Sequence, residues 1–193
     1  MPAETLLLAS GAGLLLLATL LPGDLLQLNT GPLALLEPWR LWTSQFCHWS
    51  PLHLAANLAA LGGLWLVAGR ALLPRLALLP LVAPLLSLGL LGVPGLAHYR
   101  GLSGLVAFLV GTLARDARWP VRLLMLGFGL KLGVDALSGT SAPSPFLPDT
   151  IQTTWQAHLG GLGLGLLAAW RMPALAHTAP DGAPSVSPAE HIR

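Results

Sequence analysis

Four residues that can do chemistry stand in runs of the chain that are otherwise apolar: His53, Asn57, Ser103 and His158. A serine hydroxyl is a weak nucleophile until a base removes its proton, and a histidine is the usual base. An attacked carbonyl then gathers negative charge, which an amide, a second imidazole or a backbone N–H can stabilise by donating hydrogen bonds. Ser103 lies in Gly101-Leu102-Ser103-Gly104, a serine between glycines where an apolar helix is expected to begin. The set suits acyl transfer: Ser103 as nucleophile, His158 as base, and His53, Asn57 and the Ser103 N–H as oxyanion donors. No acid is near His158 in sequence, so a dyad is expected, with Asp135 and Asp149 as weaker candidates for a third member. The competing assignments are a serine bonded to its own i−4 carbonyl, and histidines that bond another helix or ligate a metal or haem through His48, His53 and His158.

The elements that must position these groups are set by composition. The chain has 193 residues, 54% hydrophobic and 9% charged, against about 25% charged in an ordinary soluble domain. A fold of this size has too little interior for so much leucine, so the expected solvent is lipid. A formal net charge of +2 and no basic patch with interleaved aromatics argue against nucleic acid. The single cysteine, Cys47, cannot form an intrachain disulfide framework or a metal cluster.

Six apolar stretches are expected as helices: about 6–21, 51–69, 76–91, 101–114, 120–137 and 151–170. A signal peptide at the start would want a basic leader, which Met1 to Thr5 lacks. Ser50-Pro51 suits a helix start, and Pro80 and Pro84 are expected to bend the third stretch. Trp39, Trp42, Phe46 and Trp49 crowd the first loop, as rings at a headgroup zone do. Residues 138–150 read as a cap over the bundle, and the Pro/Ala/Ser-rich segment 171–193 as a disordered tail after one domain, 1–170. Arginines gather in the 2–3 and 4–5 turns, whereas the first loop nets −1 from Asp24, Glu37 and Arg40. The positive-inside rule then puts both termini in the cytoplasm, with Arg100 a mild exception on the outside.

In that topology the second, fourth and sixth stretches all start on the outer side, so all four chemical residues fall in the outer half. His53 and Asn57, four apart, share a helix face. Ala157, Gly161, Gly165 and Ala169 form a four-residue repeat of small side chains, which lets two membrane helices approach closely. The fourth and sixth helices are therefore expected to touch, with Ser103 Oγ in hydrogen-bond reach of His158. His48 either lines the opening to the site or caps the second helix.

Three blocks resemble the rhomboid family of intramembrane serine proteases: His48-Trp-Ser-Pro-Leu-His53-Leu-Ala-Ala-Asn57, Gly101-Leu-Ser103-Gly104 and Ala157-His158-Leu-Gly-Gly161. The resemblance covers roughly residues 5–170 and implies an all-α polytopic membrane protein with a six-helix bundle. It implies Ser103 as nucleophile, His158 as base, His53 and Asn57 at the oxyanion, and His48, Gly101, Gly104, Ala107, Phe108 and Gly161 lining or packing the site. It implies no metal and no cofactor. Many bacterial rhomboids carry a tyrosine four residues after the serine, stacked on the histidine. Here that position is Ala107, so Phe108 or a residue of the second helix is expected to hold the ring.

The short chain further resembles the rhombosortase branch. That likeness implies a multi-pass protein of the bacterial inner membrane whose site opens to the periplasm. Its substrates would be single-pass membrane proteins with C-terminal Gly-Gly-type signals, and the acyl group would pass to water or to an amine-bearing acceptor. The alternative is a catalytically inactive rhomboid-like protein that binds membrane helices without cutting them.

Overall fold

A computed structural model of the chain describes residues 11, 13, 15, 18–31, 34–115, 119–138 and 154–171. Most of the expected first helix, the proposed cap 139–150 with Asp149, and the tail from 172 lie outside the described residues. Five longer helices are found among those described: α1 (Pro51–Ala68), α2 (Leu79–Leu91), α3 (Ser103–Thr112), α4 (Trp119–Ser138) and α5 (Trp155–Ala169). The described residues are all-α except for two short strands, β1 (Leu28–Asn29) and β2 (His98–Tyr99). They pair antiparallel with Leu28 opposite Tyr99 and Asn29 opposite His98.

Local sequence explains the helix ends. Ser50 is extended, at φ −152° and ψ 159°, and its hydroxyl accepts from the His53 N–H at 3.1 Å. Pro51 fills the first turn, where a missing N–H costs nothing. Gly69, at φ 56°, terminates α1. In α2, Pro80 falls in the first turn, not the interior, so Pro84 is the proline that interrupts the helix. The helical run Pro51–Leu76, 26 residues with its 3₁₀ turn, is the one described helix long and apolar enough to cross a membrane, by length and composition. α2 and α3 are apolar but shorter.

Packing turns on α3, in which every residue from Gly104 to Thr112 is buried. Its outer neighbours carry their leucines outward: Leu66 of α1 is 87% exposed and Leu137 of α4 is 90% exposed. Such surfaces suit an apolar surround better than water. The seam between α3 and α5 is made by glycine. A Cβ on Gly161 would lie 2.0 Å from the Gly104 carbonyl oxygen, and one on Gly165 would lie 2.1 Å from that of Phe108. A Cβ on Gly111 would meet the Leu162 carbonyl oxygen at 2.6 Å. The backbones touch because no side chain holds them apart, as the small-residue repeat predicts.

The first loop is an ordered clamp. Arg40, 5% exposed, donates to both Glu37 carboxylate oxygens and to the Asp24 and Gln27 carbonyls. Ser87 of α2 donates to the Leu41 carbonyl at 2.8 Å and accepts from Gln45 at 3.0 Å. Trp42 donates from its indole to the Pro80 carbonyl at 2.8 Å. Arg100 breaks the charge pattern without standing alone: it pairs with Asp24, bonds Gln27, and lies 4.2 Å over the Trp49 ring.

Candidate active site

Ser103 is the first residue of α3. The turn before it is fixed at several points. Gly101 takes φ 137°, a region L side chains rarely enter. Its N–H donates to the Ser44 carbonyl at 3.0 Å, and its own carbonyl accepts from the Tyr99 hydroxyl at 2.7 Å. Tyr99 reaches that carbonyl because the β1–β2 pair holds it under the turn. Burial keeps the Tyr99 phenol above its usual value, although hydrogen bonds with the Ser103 side chain and the Gly104 backbone pull the other way. The phenol therefore stays a neutral donor beneath the serine.

His53 comes from the first turn of α1 and presses its ring on Gly101. A Cβ at Gly101 would sit 2.9 Å from His53 Cε1, 3.3 Å from Nε2 and 3.9 Å from Ser103 Oγ. The missing side chain thus leaves a corner shared by a hydroxyl and an imidazole. His53 Nδ1 is buried with no hydrogen-bond partner among the described residues. Asn57, 5% exposed, spends one amide hydrogen on the His53 carbonyl at 2.9 Å, one turn back in its own helix.

His48 lines this corner and also ties the turn down. Its Nδ1 is 3.1 Å from the Phe46 carbonyl, and its Nε2 accepts from the Leu102 N–H at 3.5 Å. Both contacts suit the neutral ring with its hydrogen on Nδ1, a tautomer assigned from the partners. The ring also meets His53 edge-on, with centroids 5.1 Å apart. Burial first, and the neighbouring His53 second, lower the His48 pKa from 6.5 to about 4. An unfolded chain takes this proton near pH 6.5 and the folded chain near 4. The His48 contribution to stability is therefore complete above 6.5 and is lost as pH falls from 6.5 to 4. In detergent, the unfolding temperature should drop over that window, and it should drop less in His48→Gln. Equal slopes would rule the linkage out.

His158 is 8% exposed and lies in the first turn of α5. The glycine seam sets its level: a Cβ on Gly104 would be 3.3 Å from the Ala157 carbonyl oxygen. The chain neighbours of Ser103 and His158 therefore touch. His53 also lies close enough to His158 to act on it electrostatically, as do Lys131 and Asp135 of α4. Asp135 is 1% exposed and ion-paired with Lys131.

The aromatic packed on His158 is Phe128 of α4, with centroids 6.0 Å apart and planes at 65°. Phe108 is buried in the core with Leu64, Leu86 and Leu105, and Phe128 packs against that same cluster. Ala107, fully buried, has its Cβ 3.2 Å from where a Gly161 Cβ would be. Position 107 lies beside the seam and carries no ring to pack on His158. Cys47 is no rival nucleophile, since burial raises its thiol from 9.0 to about 11.

Tyr99 and Phe128 went unmarked in the sequence reading. Tyr99 is the chain's one tyrosine and stands four residues before Ser103, a usable signal. Phe128 shares a stripe with Val121, Leu132 and Asp135, the buried residues of α4, and that spacing could have pointed it inward.

The Rhomboid domain family model matches residues 36–174. The chain belongs to the rhomboid family, which is associated with membrane serine proteases acting on membrane-anchored proteins. No curated protein matches the chain.

Proposed function

We propose that this protein is an intramembrane serine endopeptidase using a Ser103–His158 dyad. The observation that carries the reading is the α3–α5 seam, where the Gly104 and Ala157 backbones meet beside the two chemical residues. Ser103 Oγ attacks the scissile carbonyl carbon as His158 takes its proton. The Ser103 N–H and the His53 and Asn57 side chains hold the oxyanion. His158 returns the proton to the leaving amine, an acyl-serine remains, and water or an amine-bearing acceptor completes the transfer. α3, ten residues long, spans about 15 Å, roughly half a bilayer's apolar core, so its first residue lies below the surface inside protein.

The chain is read as one membrane domain, residues 1–170, with six helices in the bacterial inner membrane, both termini cytoplasmic and the site open to the periplasm. The segment 171–193 is the tail. Substrates are single-pass membrane proteins, and the rhombosortase reading narrows them to those with C-terminal Gly-Gly-type signals.

The test is to reconstitute the full chain with two single-span reporters, one ending in such a signal and one without. The new C-terminus is then mapped by mass. Cleavage of either near the outer end of its span supports the reading, and selective cleavage of the first supports the narrower substrate class. No cleavage of either overturns it.

A further inference from the structure

Helix α4 meets the site through few contacts. Gly127, Gly129 and Gly133 would each find nothing within 4 Å of an added Cβ, and Leu126 and Leu130 are each 68% exposed. Its inward stripe nevertheless ends on His158, where the Phe128 ring stands edge-on to the imidazole at 6.0 Å. An imidazole turns about its side-chain bonds unless something packs against it. Position 107 supplies no ring, because it is an alanine. The charged pair Lys131–Asp135 lies one to two turns further along the same helix and acts on the same ring.

We propose that Phe128 is a positioning residue that holds the His158 ring toward Ser103, so that the base is competent when α4 is docked and slack when it is not. This rests on the reading of His158 as the base. An aromatic edge-to-face contact is weak enough to be made and broken as a helix shifts, yet losing it should lower the rate roughly tenfold. A loosely packed helix carrying the ring that orients the base would tie the chemistry to whatever moves that helix, a bound substrate segment included.

The test uses the full chain in detergent, as wild type, Phe128→Leu, Phe128→Met and Phe128→Tyr. Two readouts are taken. The first is kcat and KM on a cleaved reporter. The second, without substrate, is the rate at which diethyl pyrocarbonate modifies His158, followed by mass spectrometry. Phe128→Leu and Phe128→Met should lose about tenfold in kcat with KM within about twofold, and their His158 should react several-fold faster. Phe128→Tyr, which keeps a ring, should stay near wild type in both. Wild-type kcat in the Leu and Met variants, or an unchanged modification rate, overturns the proposal. A wild type that neither cleaves nor reacts with a serine-directed probe sinks the protease reading instead, while the modification rates still decide whether Phe128 holds the ring.

Discussion

Ser103→Ala is expected to abolish labelling by a fluorophosphonate and to reduce cleavage to background, and His158→Ala to lower kcat/KM by about a thousandfold. The first follows because the probe forms its bond to Oγ, while the neighbouring Tyr99 phenol is a buried neutral donor to the Gly101 carbonyl. The second follows from the size of general-base catalysis, typically 10²–10⁴. A thousandfold loss corresponds to ~4 kcal/mol of transition-state stabilisation. Because the two groups act as one unit, the double variant should be no slower than Ser103→Ala. Purified variants compared by gel fluorescence and reporter cleavage would decide it. Equal labelling of wild type and Ser103→Ala sinks the dyad. A wild type that binds reporter helices but neither labels nor cuts would mark an inactive rhomboid-like binder.

Gly161→Val should be the most damaging change away from the chemical groups. Its Cβ would sit 2.0 Å from the Gly104 carbonyl oxygen, which is backbone and cannot swing aside. α3 and α5 must separate, and the level of His158 against Ser103 is lost with the seam. Overpacking of this kind costs about 1–3 kcal/mol or more, and activity should fall by at least tenfold beyond the loss of folded protein. Gly163→Val is the internal control, because a Cβ at Gly163 meets nothing within 4 Å. It should match wild type in thermal midpoint and in turnover. A Gly161→Val enzyme as stable and active as Gly163→Val would refute the seam.

The sequence was most legible where physical contrast was high. Ser50-Pro51 and the small-residue repeat of α5 marked a helix start and a close approach that the structure contains. Histidines and a serine in leucine-rich runs stood out for the same reason. Contrast vanished elsewhere. A helix apolar on every side, such as α3, gives no periodicity from which to read its facing. Phe128 was hidden because a phenylalanine among leucines looks like filler, and only the fold shows which ring it meets. Tyr99 depended on strands two residues long, which no local pattern announces. Arg100 looked like an exception to the charge rule because its partners, Asp24 and Trp49, come from far earlier in the chain.

α3 is enclosed by protein along nearly its whole length, while the leucines of α1 and α4 face outward. Changes in the thickness or fluidity of the surrounding medium press first on that outer ring. They reach the serine only after passing through its neighbours. The Ser103 hydroxyl is thus mechanically insulated, and sensitivity to the environment should concentrate in the rim helices.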